Sequence, residues 1–275
     1  EILPEAAVSS DFIVGFCGET EEEFLKTHDV VVAGVSTTTY IIFLAIAIVL
    51  LMIIMFAARS QAALIPKGRF YNLIELLVEF VRNDIAVANI GPTGAKYFPF
   101  LGTVFFFVLV NNLLGTVPGF KPGTGTMGVT VALALIAFVM FNLAGMQKRG
   151  VGGYIKGLVP HGVPGVLWPV IWVIEVISLL IRPFTLSIRL FANMYAGHIV
   201  LGIFSILTSI AAEQIIGGLL HGEGAGMVAI GGISAIAWML LLTALYLLEI
   251  GVALLQAYIF TLLTTVYVSL AVSEH

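Results

Sequence analysis

The chain has 275 residues, of which 60% are hydrophobic and only 10% are charged, and its mean hydropathy is +1.09. Soluble globular proteins carry about a quarter charged residues, so this composition predicts a membrane protein that crosses the bilayer several times. Twelve basic against sixteen acidic residues leave no basic face, which excludes a nucleic-acid-binding protein. The single cysteine, Cys17, excludes an internal disulfide framework and a cysteine-rich metal cluster, and no cofactor or metal site is expected.

The N-terminal segment, residues 1–39, is acidic and precedes the first hydrophobic run. It holds eight Asp and Glu residues against one basic residue, Lys26. Basic residues instead follow the first hydrophobic run and lie between residues 148 and 156, and Lys and Arg mark the cytoplasmic loops of membrane proteins. We therefore expect the N-terminus outside the cell and the C-terminus in the cytoplasm.

Four helices are predicted between residues 40 and 147. About 20 apolar residues cross the hydrocarbon of a bilayer, and the runs near 40–59, 97–117 and 126–147 reach this length. Residues 67–88 instead place apolar and polar side chains on opposite helix faces, which predicts an amphipathic helix on the cytoplasmic membrane surface. The apolar face comprises Phe70, Leu73, Ile74, Leu77 and Val81, and the polar face Asn72, Glu75, Glu79 and Arg82.

Two long tracts, near 165–212 and 226–272, complete a predicted single membrane domain of residues 40–275. The first has 48 residues, which extend about 72 Å as a helix, more than twice the hydrocarbon thickness of about 30 Å. Each tract is therefore either two short helices or one tilted helix, and a long, tilted, antiparallel hairpin is favoured. The expected fold class is an all-α polytopic membrane protein with about five membrane-embedded helices and one amphipathic surface helix.

The stretch PFTLSIRLFANMYAGHIV, residues 183–200, places Arg189 at the centre of an apolar tract. A guanidinium group keeps its charge, and a charge at the membrane centre costs at least about 2.5 kcal/mol on insertion scales. Glu249 is likewise the one formal charge between residues 224 and 273. A functional role is therefore favoured for Arg189 and Glu249. Helix–helix hydrogen bonding would account for Asn193 or Gln256 alone, and both interpretations stay open for His198.

These residues form a line of groups that can hold, pass or repel a proton. Helical spacing puts residues 182, 186, 189, 193 and 196 on one face of the first tract, and residues 249 and 256 on one face of the second. Arg182 is expected to extend its charged end toward the cytoplasmic interface. The predicted proton-handling residues are Arg189, Glu249, His198, Glu175, Asn193 and Gln256.

Three stretches carry a resemblance to a known family. LLIRPFTLSIRLFANMYAGHIV and LLEIGVALLQAYIFTLLTTVYVSLAVSEH resemble subunit a of F-type ATP synthases, and NNLLGTVPGF at 111–120 is similar to that family's third helix. The resemblance implies a stator subunit without catalysis of its own, beside a rotating ring of c subunits that each carry one carboxylate. It further implies peripheral-stalk b subunits, other ATP synthase subunits and the lipid bilayer as partners, in a bacterial plasma membrane.

The resemblance also implies roles for individual residues. Arg189 matches the family's essential arginine, which separates two offset aqueous half-channels that lead to the ring. Asn193 matches the asparagine one helical turn on, and Gln256 matches the glutamine that faces the arginine from the last helix. His198 and Glu249 match an acid–base pair that lines the half-channel open to the outside.

The remaining candidates rest on less specific matches. Glu175 matches a polar position attributed to the proton path, and Asn111 and Asn112 match positions that line the outer channel. Residues 121–130 lack the polar pattern usual before the family's fourth helix, so no role is assigned there, and Ala192 stands where glycine is common. Further candidates for channel lining, in the polar segment between the long tracts, are Glu213, His221 and Glu223.

A self-contained ion transporter or a structural membrane anchor stays open as an alternative function. Co-purification with a c ring would separate either from a stator subunit. A haem-bearing subunit needs axial histidines in facing helices, and only His198 clearly lies in a membrane tract. A voltage sensor needs a ladder of arginines. An intramembrane hydrolase needs a nucleophile beside a base, which Ser187 and His198, eleven residues apart, do not provide.

Overall fold

A computed structural model describes residues 29–32, 35–60, 68–117, 120, 122–157, 167–221 and 225–272. The helices longer than one or two turns in these ranges are α1 (Thr39–Ser60), α2 (Arg69–Glu79), α3 (Phe98–Gly115), α4 (Met127–Lys156), α5 (Trp168–His221) and α6 (Ala225–Val272). Apolar stretches long enough to cross a membrane lie in α3 to α6, and α1 has a shorter one, Tyr40–Phe56. The all-α polytopic fold class is confirmed.

A short β-hairpin precedes the first helix. Strand β1 (Asp29–Val32) pairs antiparallel with β2 (Val35–Thr38), with Asp29 opposite Thr38. Val and Thr dominate both strands, and β-branched residues favour extended backbone. The sequence analysis did not predict this hairpin, and the rest of the acidic segment lies outside the described residues.

The amphipathic segment is a composite helix that packs onto the protein. After α2 the chain continues as a π-helix (Phe80–Val87), a short α-helical turn (Ala88–Ile90) and a 3-10 helix (Pro92–Lys96). Val81 and Ile85 are fully buried against the core, whereas Phe70 and Leu73 of the predicted apolar face are more than half exposed. The apolar side of this composite helix therefore has two parts. One part contacts the rest of the protein, and the other is open to the surroundings.

The hydrophobic core centres on α3. In the apolar stretch of membrane-spanning length, 61% of α3 is buried inside the protein, compared with 11% of α6. Leu101 and Val108 of α3 are fully buried, and they belong to one cluster with side chains from the π-helix, α4, α5 and the C-terminal half of α6. The N-terminal half of α6 and much of α5 keep large apolar side chains exposed.

Helix α4 extends to residue 156, beyond the predicted end at 147. The helix breaks at Gly150, whose φ of 72° is in the region that favours glycine. Just before the break, Lys148 Nζ donates to the carbonyl of Val272 at 3.0 Å. Beyond it, the Tyr154 hydroxyl donates to Asn142 Oδ1 at 2.9 Å. The first bond holds α4 against the end of α6, and the second folds the segment after the break back onto α4.

The two C-terminal helices form a long hairpin, as predicted. Helix α5 has 54 residues and α6 has 48, so both exceed the hydrocarbon thickness by more than twofold at 1.5 Å per residue. Helices of this length fit a bilayer only when they are strongly tilted or extend beyond it. Pro183 lies inside α5 without ending it.

Candidate functional site

A hydrogen bond joins the two long helices at the candidate site. Asn193 Nδ2 of α5 donates to Gln256 Oε1 of α6 at 2.8 Å. Gln256 is only 2% exposed, so its amide group satisfies part of its bonding inside the protein. The structure thus brings together two candidates that are 63 residues apart in sequence.

A cavity of about 240 Å³ opens beside this bond, between α5 and α6. At about 30 Å³ per water molecule it has room for roughly eight waters. Its polar groups are the amide of Asn193 and the carboxylate of Glu249, which is 7% exposed. The other lining residues are Ala196, Gly197, Val200, Leu201, Leu245, Leu248 and Val252.

Gly197 makes room for the Glu249 carboxylate. A Cβ atom at position 197 would overlap Oε1, Oε2 and Cδ of Glu249, so the carboxylate lies against the backbone of α5. Gly197 was not predicted as a site residue. Its small size could have indicated it, because small residues mark places where membrane helices approach closely.

Arg189 lies one helical turn before Asn193 and is exposed. Its neighbours on α5, Leu186 and Leu190, are buried in the core at 4% and 0% exposure. The guanidinium side chain therefore leaves α5 on the exposed side of the hairpin, four residues before Asn193. An exposed permanent cation one helical turn from the cavity that holds Glu249 can attract an anion that approaches from outside the chain.

The second arginine of α5 has a different environment. The Arg182 side chain is half-buried, and its Cζ lies 5.1 Å from the ring centroid of Tyr267 on α6. This is a cation–π contact. Arg182 therefore has an aromatic partner within the protein.

His198 and Glu175 stand apart from the cavity. His198 follows Gly197 and is half-buried, but it does not line the cavity around Glu249. Glu175 is half-buried near the start of α5, fourteen residues before Arg189. At 1.5 Å per residue that separation is about 21 Å along the helix.

Asn111 and Asn112 form a second buried polar group near the C-terminal end of α3. They are 1% and 0% exposed. Asn112 Oδ1 accepts a hydrogen bond from the Thr124 hydroxyl at 2.9 Å, and Asn111 Nδ2 donates to the carbonyl of Phe107. Asn111 Oδ1 and Asn112 Nδ2 have no protein partner in the described part of the chain. Neither residue lines the Glu249 cavity.

The remaining sequence candidates are Glu213, His221 and Glu223. Glu213 is exposed on α5. His221 ends α5, but its side chain, like all of Glu223, lies outside the described residues. Within the described ranges, no group of three or more His, Cys, Asp or Glu side chains is placed to hold a metal ion.

Known proteins resemble the chain over most of its length. The sequence model of the family described as ATP synthase A chain matches residues 39–269. The chain is 39% identical to ATP synthase subunit a of Myxococcus xanthus (strain DK1622) over 86% of this chain and 73% of that protein. It is 39% identical to ATP synthase subunit a of Gluconobacter oxydans (strain 621H) over 85% and 87%. For ATP synthase subunit a of Anaeromyxobacter sp. (strain Fw109-5) the values are 37% identity over 86% and 55%. The chain thus spans between about half and nearly nine tenths of these relatives.

Proposed function

Since the chain belongs to the ATP synthase A chain family, we propose that it is the proton-translocating stator subunit of a rotary ATP synthase. Family membership makes it a multi-pass membrane component of the F0 sector, in ATP synthesis and proton transport. The finer proposal is that it supplies two offset aqueous half-channels to a c ring, with Arg189 between them.

One observation carries this proposal. The exposed Arg189 lies one turn from Asn193, which lines the cavity that also holds the buried Glu249 carboxylate. Proton transfer between a moving acid and an aqueous path requires two groups. A permanent cation on the open side meets the acid, and a proton-binding group on the inner side meets the aqueous path. The Asn193–Gln256 bond fixes the two helices beside them.

The charge of Arg189 accounts for the exchange of protons on either side of it. A ring carboxylate that enters the lipid must be neutral, because an ionised one is costly there. Opposite Arg189 the same carboxylate is favoured in its ionised form. Each passing carboxylate therefore releases its proton on one side of Arg189 and takes up another on the other side. Because a guanidinium group does not lose its own proton, Arg189 cannot relay protons directly across the seam.

The outer half-channel is assigned to the Glu249 cavity. Glu249 and Asn193 provide its polar lining. The half-buried His198, which does not itself line the cavity, exchanges protons with Glu249 through water, since an imidazole ring can both accept and donate a proton. Glu175, nearer the start of α5, belongs to the cytoplasmic path. The proposed outer lining further includes Asn111, Asn112, Glu213, His221 and Glu223.

The proposed partners occupy the surfaces that the chain leaves open. The exposed apolar side chains of α5 and α6 offer a face for the c ring, and the peripheral-stalk b subunits contact the earlier helices. The N-terminus lies outside a bacterial plasma membrane and the C-terminus in the cytoplasm, because the basic residues cluster between α1 and α3 and after residue 147.

Replacing Arg189 tests the proposal. In inverted membrane vesicles, Arg189→Ala is expected to abolish ATP-driven proton pumping, and Arg189→Lys to restore it poorly because lysine can lose its proton in a dry site. Arg69→Ala, which removes an exposed arginine at the start of α2, serves as the matched control. The assembled complex is quantified by co-purification with the c ring. Coupled pumping by Arg189→Ala, or isolation of a functional chain without a ring, contradicts the proposal.

A further inference from the structure

We propose that Tyr267 is a positioning residue that holds Arg182 away from the open face of the hairpin, so that Arg189 rather than Arg182 meets the ring carboxylates. The inference rests on the proposed function, because it concerns which cation a moving carboxylate encounters. Neither the sequence analysis nor the proposed site includes Tyr267.

The need for such a residue follows from helical geometry. Arg182 and Arg189 are seven residues apart on α5, which places them about 20° apart around the axis and about 10.5 Å apart along it. Two arginines so placed would leave the helix in nearly the same direction. Arg189 is nevertheless exposed while Arg182 is half-buried, so the surroundings, and not the spacing, separate them.

The surroundings of Arg182 are aromatic. Its guanidinium carbon lies 5.1 Å from the centroid of the Tyr267 ring, within the range of a cation–π interaction. The Tyr267 ring is in turn fixed, since it packs at 5.6 Å from the ring of Phe141 and against the buried cluster of Phe141, Ala144, Val268 and Val272. A ring held in this way draws the guanidinium group of Arg182 toward α4 and α6.

Release of Arg182 would interfere with transfer at Arg189. Arginine stays charged wherever it lies, so a released Arg182 would present a second permanent cation about two turns away on the same helix. An ionised ring carboxylate leaving Arg189 would be attracted to it before it regained a proton. The ring would then stall, and coupling between rotation and proton transfer would fall.

Removal of the Tyr267 ring tests this inference. The complete ATP synthase is assayed in inverted vesicles for ATP-driven proton pumping, normalised to assembled complex, in Tyr267→Leu, Tyr267→Phe, Arg182→Gln and the double variant Arg182→Gln/Tyr267→Leu. A contact of this kind changes the ratio of held to released side chain by about 2- to 30-fold. We expect Tyr267→Leu to lower pumping by at most that factor, and Tyr267→Phe, which keeps the ring, to stay near the unmodified complex.

The double variant separates positioning from packing. If Tyr267 acts through Arg182, removing the charge as well restores pumping to the level of Arg182→Gln alone, which itself stays near the unmodified complex. Equal loss in the single and double Tyr267→Leu variants, including equal failure to assemble, assigns Tyr267 to packing and overturns the inference. Loss of pumping in Arg182→Gln overturns it as well. Pumping by Arg189→Ala in the same membranes would instead refute the proposed function.

Discussion

Replacing Gly197 by alanine puts a methyl group where the carboxylate of Glu249 now lies. The added Cβ would overlap both carboxylate oxygens, and two groups cannot share that space. Because these atoms end a flexible side chain, the backbones of α5 and α6 need not separate. The expected cost in stability is therefore that of a changed rotamer, about 0.5–1.5 kcal/mol. The carboxylate must nevertheless leave its place between the helices.

The functional cost of Gly197→Ala is expected to exceed its cost in stability. A displacement of about 1 Å in a transfer site can lower a rate roughly 100-fold, so ATP-driven pumping per assembled complex should fall by one to two orders of magnitude. Gly232→Ala is the control, since nothing lies within 4 Å of the methyl group it would add. Adding Glu249→Asp, which shortens the side chain by one methylene, should recover part of the loss. Pumping by Gly197→Ala at the rate of Gly232→Ala would refute the reasoning.

Two further predictions concern the same helices. Asn193→Ala and Gln256→Ala should be non-additive by about 0.5–1.5 kcal/mol in the thermal unfolding of the solubilised complex, because each removes the same 2.8 Å hydrogen bond; strict additivity would show that the bond is absent. In a Cys17→Ser background, cysteines at positions 198 and 249 should react with water-soluble thiol reagents, whereas one at Leu190, which is 0% exposed, should not. Silence at both positions would contradict an aqueous outer path.

The long hairpin was predictable because its signal is local. Uncharged tracts longer than a membrane span leave few alternatives, and the isolated Arg189 and Glu249 are visible within their own segments. The partners of these residues were not predictable in the same way. The bond between Asn193 and Gln256, and the contact between Arg182 and Tyr267, join residues far apart in sequence. They depend on the register of α5 against α6, which neither helix specifies alone.

Other features escaped prediction for different physical reasons. The part of α4 after residue 147 includes a backbone break at Gly150, and Lys148, just before the break, bonds to the last residue of α6. This contact between distant residues cannot be read from the local sequence. The π-helix after α2 has no distinctive composition. It ends two residues before Asn89, whose carbonyl accepts a hydrogen bond from the Ser269 hydroxyl at 2.7 Å. The sequence shows only that Gly197 has no side chain. The structure shows that the Glu249 carboxylate fills the space beside it.

The fastenings of α6 have a mechanical consequence. Ser269 and Val272, near its C-terminus, are bonded to two other parts of the protein, while most side chains between residues 232 and 250 are exposed or only partly covered. The C-terminal end of α6 is therefore fixed to α4 and to the segment after α2, whereas its N-terminal half lies along α5, with the Phe204 and Trp238 rings 5.9 Å apart. If a rotor presses on α6, as the proposed function implies, we expect the fixed C-terminal end to carry most of the load.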